Sequence, residues 1–217
     1  MPRADVKICG IATAADYDVC AEAGARWIGM VFFPKSPRHL TLEAATALAN
    51  HADSYEGDSP QRVALTVDMD DDALDSVIQA TRPDLVQLHG NETPDRAKAI
   101  KARFNVPLIK ALRIGNASDL NACSVWENVA DWLLLDAKPD NSDLPGGTGH
   151  SFDWNLLSSH AGMSNWMLAG GLNPDNVARA ISVTGSRALD VSSGVESAPG
   201  KKDHSLIRSF IHAAEIG

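Results

Sequence analysis

Cys9 and Asp136 each close a short apolar run, at the point where a chain leaves a dry core for the surface. Cys9 ends Val6-Lys7-Ile8-Cys9, and Asp136 follows Trp132-Leu133-Leu134-Leu135. Side chains alternate in an extended run, so Lys7 and Cys9 face the same way. A neighbouring ammonium favours the thiolate and is expected to lower the thiol below its reference value of about 8.5. A thiolate of that kind accepts a proton from carbon or attacks as a nucleophile. The competing reading of Cys9 is a small buried hydrophobe, the usual lot of a free cysteine. A carboxyl emerging from an apolar strand, like Asp136, is expected to hold its proton at higher pH and so to suit a general acid. Its competing reading is a carboxylate paired with Lys138 or with backbone. Cys20 and Cys123 fall within helical patterns and read as packing residues.

Positioning such groups requires a scaffold, and the chain alternates β-rich segments with helical ones. The strand candidates are Val6–Cys9, Trp27–Phe32, Val63–Val67, Leu85–Leu88, Leu108–Leu112, Trp132–Leu135, Trp166–Ala169 and Arg187–Val191. Helical patterns run over Ala14–Glu22 behind a Thr13 cap and from Thr41 to Asn50, then over Asp70–Gln79, Thr93–Arg103, Ser118–Asn128, Asp153–Ser159, Pro174–Ile181 and Asp203–Ala214. Eight such units imply right-handed βαβ crossovers and a parallel sheet. Within 217 residues they predict one (β/α)8 barrel spanning the chain rather than an open sheet plus a second domain. The doubly wound alternative lacks its GxGxxG mark: Gly10 stands alone after Cys9.

Active sites of such barrels form at the C-terminal strand ends. Those ends carry Cys9, Phe32-Phe33 leading to Arg38, Asp68, His89, Arg113, Asp136, Gly170-Gly171, and Asp190 leading to Ser192-Ser193-Gly194. Glycine clusters at Gly146-Gly147-Thr148-Gly149, Gly170-Gly171 and Ser192-Ser193-Gly194 let backbone N–H groups approach an anion. Two of the clusters follow strands seven and eight, where barrels bind phosphate, and Ser192–Glu196 is expected to supply the short extra helix there. The phosphate-binding expectation therefore names Gly147, Gly149, Gly170, Gly171, Ser192, Ser193 and Gly194. Lys7, Arg38, His89 and Asp190 are the expected substrate-binding side chains. Arg38 sits on a proline-stiffened loop and could clamp a carboxylate with two hydrogen bonds, although position alone favours a solvated loop charge. His89 reads equally as a pocket donor or a satisfied core histidine. No spacing suits a metal, and no P-loop or nucleophile elbow is present.

Composition narrows the class. Hydrophobic residues at 44% and charged residues at 22% describe a globular chain with one substantial core. No apolar run approaches the roughly 20 residues of a bilayer span, and the first residues are too polar for a signal peptide. A formal charge of −9 argues against nucleic acid as a partner. It also repels an anionic substrate, so the site must supply its own cations and N–H donors. Three cysteines without CxxC spacing suggest reduced thiols in a cytoplasm. The expectations from the residues are a small phosphorylated anion as substrate, no metal, no membrane, and a monomer or homodimer.

Seven segments, in order, resemble the phosphoribosylanthranilate isomerase family of tryptophan biosynthesis over nearly the whole chain. They are Lys7-Ile8-Cys9-Gly10-Ile11; Gly29-Met30-Val31-Phe32-Phe33 with Ser36-Pro37-Arg38; Gln87-Leu88-His89-Gly90; Leu134-Leu135-Asp136-Ala137-Lys138; Gly146-Gly147-Thr148-Gly149 with Phe152-Asp153-Trp154; Leu168-Ala169-Gly170-Gly171-Leu172; and Asp190 to Glu196 with Pro199-Gly200-Lys201-Lys202-Asp203. The resemblance implies a cofactor-free (β/α)8 barrel performing an Amadori rearrangement. It places Cys9 as base, Asp136 as acid and Arg38 on the anthranilate carboxylate. Val67-Asp68-Met69 departs from it, since asparagine is common where Asp68 stands. Two rivals remain: a histidine-pathway isomerase, which generally uses two aspartates on a repeated half-chain, and a barrel that binds a phosphorylated ligand without turning it over.

Overall fold

The computed structural model describes residues 4–137, 154–158 and 165–216. Eight parallel strands close into a barrel, each followed by a helix. In chain order they are β1 (Asp5–Cys9), α1 (Ala14–Glu22), β2 (Trp27–Phe32), α2 (Leu42–Ser54), β3 (Gln61–Thr66), α3 (Asp71–Thr81), β4 (Leu85–Leu88) and α4 (Pro94–Phe104). Then come β5 (Leu108–Ile114), α5 (Asn121–Trp126), β6 (Trp132–Ala137), α6 (Asn155–Ser158), β7 (Trp166–Ala169), α7 (Val177–Thr184) and β8 (Ala188–Val191). A small hairpin, β9 (Glu196–Ala198) and β10 (Lys201–Lys202), precedes α8 (His204–Ile216). Strand β8 returns to β1 with Lys7 opposite Asp190, which closes the barrel and excludes the open doubly wound sheet.

Helix starts follow side-chain chemistry. Thr13, Thr41, Asp70 and Thr93 each accept the amide three residues on, satisfying a donor with no intrahelical partner. Helix α7 begins three residues later than the Pro174 pattern predicts. Asn173 Oδ1 takes the amides of Asp175 and Asn176, while Asn176 Oδ1 takes the Asn173 amide, and this local turn outcompetes the first helical turn. The Ser118–Asn128 pattern resolves into a 3-10 turn, Ala117–Leu120, running into α5.

Alternation along the strands sorts the core. Trp27, Val63, Leu85, Ile109, Leu134, Met167 and Ala188 fill the barrel interior, and the opposite strand faces pack beneath the helices. Trp27 meets Trp132 edge-on with ring centroids 5.3 Å apart, and the Arg26 guanidinium lies 4.4 Å over Trp27. These rings plug the N-terminal end, so the open end of the interior is the C-terminal one.

Candidate active site

A cavity of about 480 Å³ opens at the C-terminal mouth. Val31, Leu65 and Leu134 form its apolar floor, and Cys9, His89, Arg113, Asp136 and Asp190 project into it from five different strand ends. Arg38 and Phe33 wall one side; Gly170, Gly171, Ser192 and Ser193 wall another. The thiol and the carboxyl of the sequence analysis therefore face one space.

Cys9 is 5% exposed. Across the barrel wall Gly29 leaves room for it: a Cβ there would stand 3.1 Å from Cys9 Sγ and 3.2 Å from Lys7 Nζ. The expected pairing of Lys7 and Cys9 on one face is present, but two expectations need correction. Lys7 is fully buried, is absent from the cavity lining, and donates to Asp190 Oδ1 at 2.7 Å. Its ammonium faces Asp190 and the Cys9 sulfur beneath the cavity rather than the cavity itself. The Cys9 thiol is also raised, not lowered. Burial pushes it up more than the Lys7 ammonium pulls it down, and the Asp190 carboxylate adds to the rise.

Asp136 and Arg113 are opposite each other on β6 and β5. Burial, reinforced by the Asp190 carboxylate, raises the Asp136 carboxyl against the opposing pull of Arg113. The expectation that Asp136 holds its proton at higher pH thus has its cause in burial. His89 Nδ1 lies 2.9 Å from Gln87 Nε2. With the amide nitrogen donating, Nδ1 is the acceptor and Nε2 carries the hydrogen. Burial holds the imidazole below its usual range, which favours the neutral ring, and His89 lines the cavity.

The Arg38 side chain is not a solvated loop charge. Its Nε and Nη2 donate to the two Glu196 oxygens at 2.7 and 2.6 Å. The side-on fork is thereby occupied, and the Nη1–Nη2 end remains for a ligand. Glu196 also accepts from Lys202 Nζ at 2.8 Å, and these cations hold its carboxyl down at about 2. Neither Glu196 nor Lys202 is among the expected site side chains; their signal in the sequence is the family-like stretch from Asp190 to Asp203, in which Glu196 reads only as the end of the short helix.

The phosphate expectation divides. Gly147 and Gly149, with Lys138, lie outside the described residues. Gly170 and Gly171 take φ of +95° and +65°, and a Cβ on Gly171 would meet open space. Ser193–Val195 forms the expected short helix as one 3-10 turn. Ser192 and Ser193 line the cavity, but the Ser192 hydroxyl donates to the Cys9 carbonyl at 3.0 Å, so its part is to tie β8 to β1. Gly194 stands back from the lining; a Cβ on it would fall 1.8 Å from the Leu172 carbonyl oxygen, so glycine is what lets the loops after β7 and β8 meet. Asp68, where the family resemblance leads one to expect asparagine, adopts φ +47° and accepts the Asn91 amide at 2.7 Å. Asparagine and aspartate both tolerate that left-handed conformation. Among the described residues no group of three or more His, Cys, Asp or Glu side chains is placed to hold a metal, and no helix is long and apolar enough to cross a membrane.

Residues 6–213 match the profile of the N-(5'-phosphoribosyl)anthranilate isomerase family. An N-(5'-phosphoribosyl)anthranilate isomerase from Brucella canis is 49% identical over 210 residues, covering 96% of this chain and 93% of that protein. The chain belongs to this family. Among solved members, phosphoribosyl anthranilate isomerase from Thermotoga maritima superposes over 100% of both chains with a TM-score of 0.86 at 36% identity. A second phosphoribosyl anthranilate isomerase, 34% identical with a TM-score of 0.84 over 100% of both chains, was solved in complex with reduced 1-(o-carboxyphenylamino)-1-deoxyribulose 5-phosphate. The family's barrel and the closed barrel described above are the same architecture.

Proposed function

We propose that this isomerase converts N-(5'-phosphoribosyl)anthranilate to 1-(2-carboxyphenylamino)-1-deoxyribulose 5-phosphate in tryptophan biosynthesis, with Cys9 as base and Asp136 as acid. The observation that carries the residue roles is that both groups line one cavity, each raised by burial. Asp136 protonates the furanose oxygen; the C1–O bond breaks as the aniline nitrogen's electron pair forms the C1=N Schiff base. The Cys9 thiolate takes the proton from C2, and the C–H electrons flow to nitrogen, leaving an enolamine. Loss of the C2 hydroxyl proton and protonation at C1 complete the ketone. Atoms and electrons balance without a redox partner.

A raised thiol serves this step. A thiolate whose thiol form is favoured by burial is a stronger base toward carbon, and the proton gain restores the neutral state that the site prefers. The cost is that only a minority of resting sites hold the thiolate. The buried Lys7–Asp190 pair keeps an ammonium beside that minority state. The Nη1–Nη2 end of Arg38 receives the anthranilate carboxylate, His89 donates to a sugar oxygen, and the backbone about Gly171 and Ser193 receives the phosphate. Binding remote from C1 and C2 holds the sugar in register for proton transfer.

The whole chain forms one catalytic domain in this reading, acting as monomer or homodimer; a structure of monomers generated from the dimeric Thermotoga maritima isomerase, with a TM-score of 0.83, shows that the same barrel is compatible with either state in that relative. Three free, buried cysteines fit a reducing cytoplasm. Purified protein should quench the fluorescence of phosphoribosylanthranilate as it converts it and leave the histidine-pathway aminoimidazole substrate unchanged. Turnover of the second substrate alone would shift the reading to the histidine-pathway isomerase, and binding without turnover would reduce it to a receptor.

A further inference from the structure

We propose that Glu196 is a positioning residue that ties the carboxylate end of the substrate site to the phosphate end, and so sets the span of substrate the cavity accepts. The inference rests on the Arg38 role given above. Glu196 Oε1 accepts from Arg38 Nε at 2.7 Å and Lys202 Nζ at 2.8 Å; Oε2 accepts from Arg38 Nη2 at 2.6 Å and the Gly200 amide at 3.2 Å. A carboxylate offers about four lone-pair sites, and all are taken, which removes Glu196 from acid–base work. Its side chain is 3% exposed and that of Lys202 0%.

The contacts run on in both directions. Lys202 Nζ donates to the Ser192 carbonyl at 3.0 Å, so the same ammonium that holds Glu196 holds the phosphate-side loop. On the other side the Arg38 loop is wedged against its neighbours. A Cβ on Gly10 would stand 2.6 Å from Arg38 Cδ, and one on Gly200, at φ +77°, would stand 2.5 Å from the Pro37 carbonyl oxygen. Arg38 and Glu196, 158 residues apart in the chain, thus share a rigid seam at the cavity rim. Because Glu196 fills the side-on fork, Arg38 can offer a ligand only its end-on pair of nitrogens, at a fixed distance from the phosphate loop.

The test compares Glu196→Gln, Glu196→Asp and Arg38→Lys, using anthranilate and ribose 5-phosphate as separate competitive inhibitors. Glu196→Gln keeps the volume but turns a donor toward Arg38 or Lys202. Glu196→Asp keeps the charge that buried Lys202 needs for folding, yet is one methylene too short to span both cations. Both should raise KM about tenfold with kcat within about threefold, and both should weaken both inhibitors. Arg38→Lys should weaken anthranilate alone. For anthranilate, the Arg38→Lys and Glu196→Gln effects should be less than additive, because both break one fork. A merely structural Glu196 would lower the melting temperature and the active fraction while leaving KM and both inhibition constants at parental values, and that result in the folded Glu196→Asp protein overturns the proposal. If Arg38→Lys leaves anthranilate inhibition unchanged, the clamp reading itself falls, and the carboxylate arm of the seam with it.

Discussion

At Cys9 two effects of opposite sign act on one proton. The Lys7 ammonium favours the thiolate and burial opposes it, and burial wins. Asp136 is displaced in the same upward sense. The productive state needs the thiolate and the protonated carboxyl together, so the group with the lower pKa must be protonated while the one with the higher pKa is not. The product of those two fractions is constant between the two pKa values and falls outside them. The predicted profile of kcat/KM against pH is a broad plateau, its acid limb above the ordinary carboxylate range and its alkaline limb above the ordinary thiol range; a single limb near pH 6.5, the histidine reference, would point to His89 instead. The same burial makes Asp136 a cost to the fold. A raised carboxyl contributes its full stability below the unfolded value near 3.8 and loses it as pH rises through the folded one. Asp136→Asn should therefore lose about 10²–10⁴ in kcat while melting roughly 2–4 °C higher at pH 7, with the gain vanishing near pH 3 by scanning calorimetry. Cys9 and Asp136 were readable because each ends an apolar run. The burial of Lys7 was not, because its partner Asp190 stands 183 residues away and period two reveals a side chain's face but not what lies across from it.

Among the elements, the strands were the most legible part of the chain. Each is a short apolar run with a clear stop, and all eight proposed positions carry a barrel strand. The helix starts at Thr13, Thr41 and Thr93 were equally plain, since a capping hydroxyl before a helical pattern has one good use. The delayed α7 was hidden because Pro174 suits a first helical turn, and only the mutual Asn173–Asn176 bonds reveal the competing turn. The loops were legible in composition but not in division of labour. Gly170 and Gly171 need their positive φ, whereas Gly194 needs to lack a side chain against the Leu172 carbonyl. Gly194→Ala must push the β7 and β8 loops apart. We expect KM for phosphoribosylanthranilate to rise about tenfold or more and ribose 5-phosphate inhibition to weaken in parallel, with anthranilate inhibition nearly unchanged. Equal affinity for ribose 5-phosphate in parent and variant would show that these loops do not hold the phosphate.

The molecule as a whole separates a stabilising end from a reactive one. The N-terminal end is stoppered by Trp27, Trp132 and Arg26; the C-terminal end gathers charged side chains around a cavity. Trp27 is 1% exposed, so Trp27→Ala should cost about 3–5 kcal/mol in urea unfolding while KM and kcat of the folded fraction stay within about twofold. A comparable loss of kcat would mean that the plug and the site are coupled. The formal charge of −9 also works against an anionic substrate, which explains why Lys7, Arg38, Arg113 and Lys202 are concentrated at or beneath the mouth. The central claim remains that the sulfur of Cys9 takes the proton from C2. Single-turnover fluorescence at saturating phosphoribosylanthranilate tests it directly in Cys9→Ser, where a hydroxyl replaces the thiol. The account predicts a chemical step slowed by about 10²–10⁴ with affinity for the reduced product analogue within about threefold of the parent. A Cys9→Ser protein that turns over at the parental rate would contradict it.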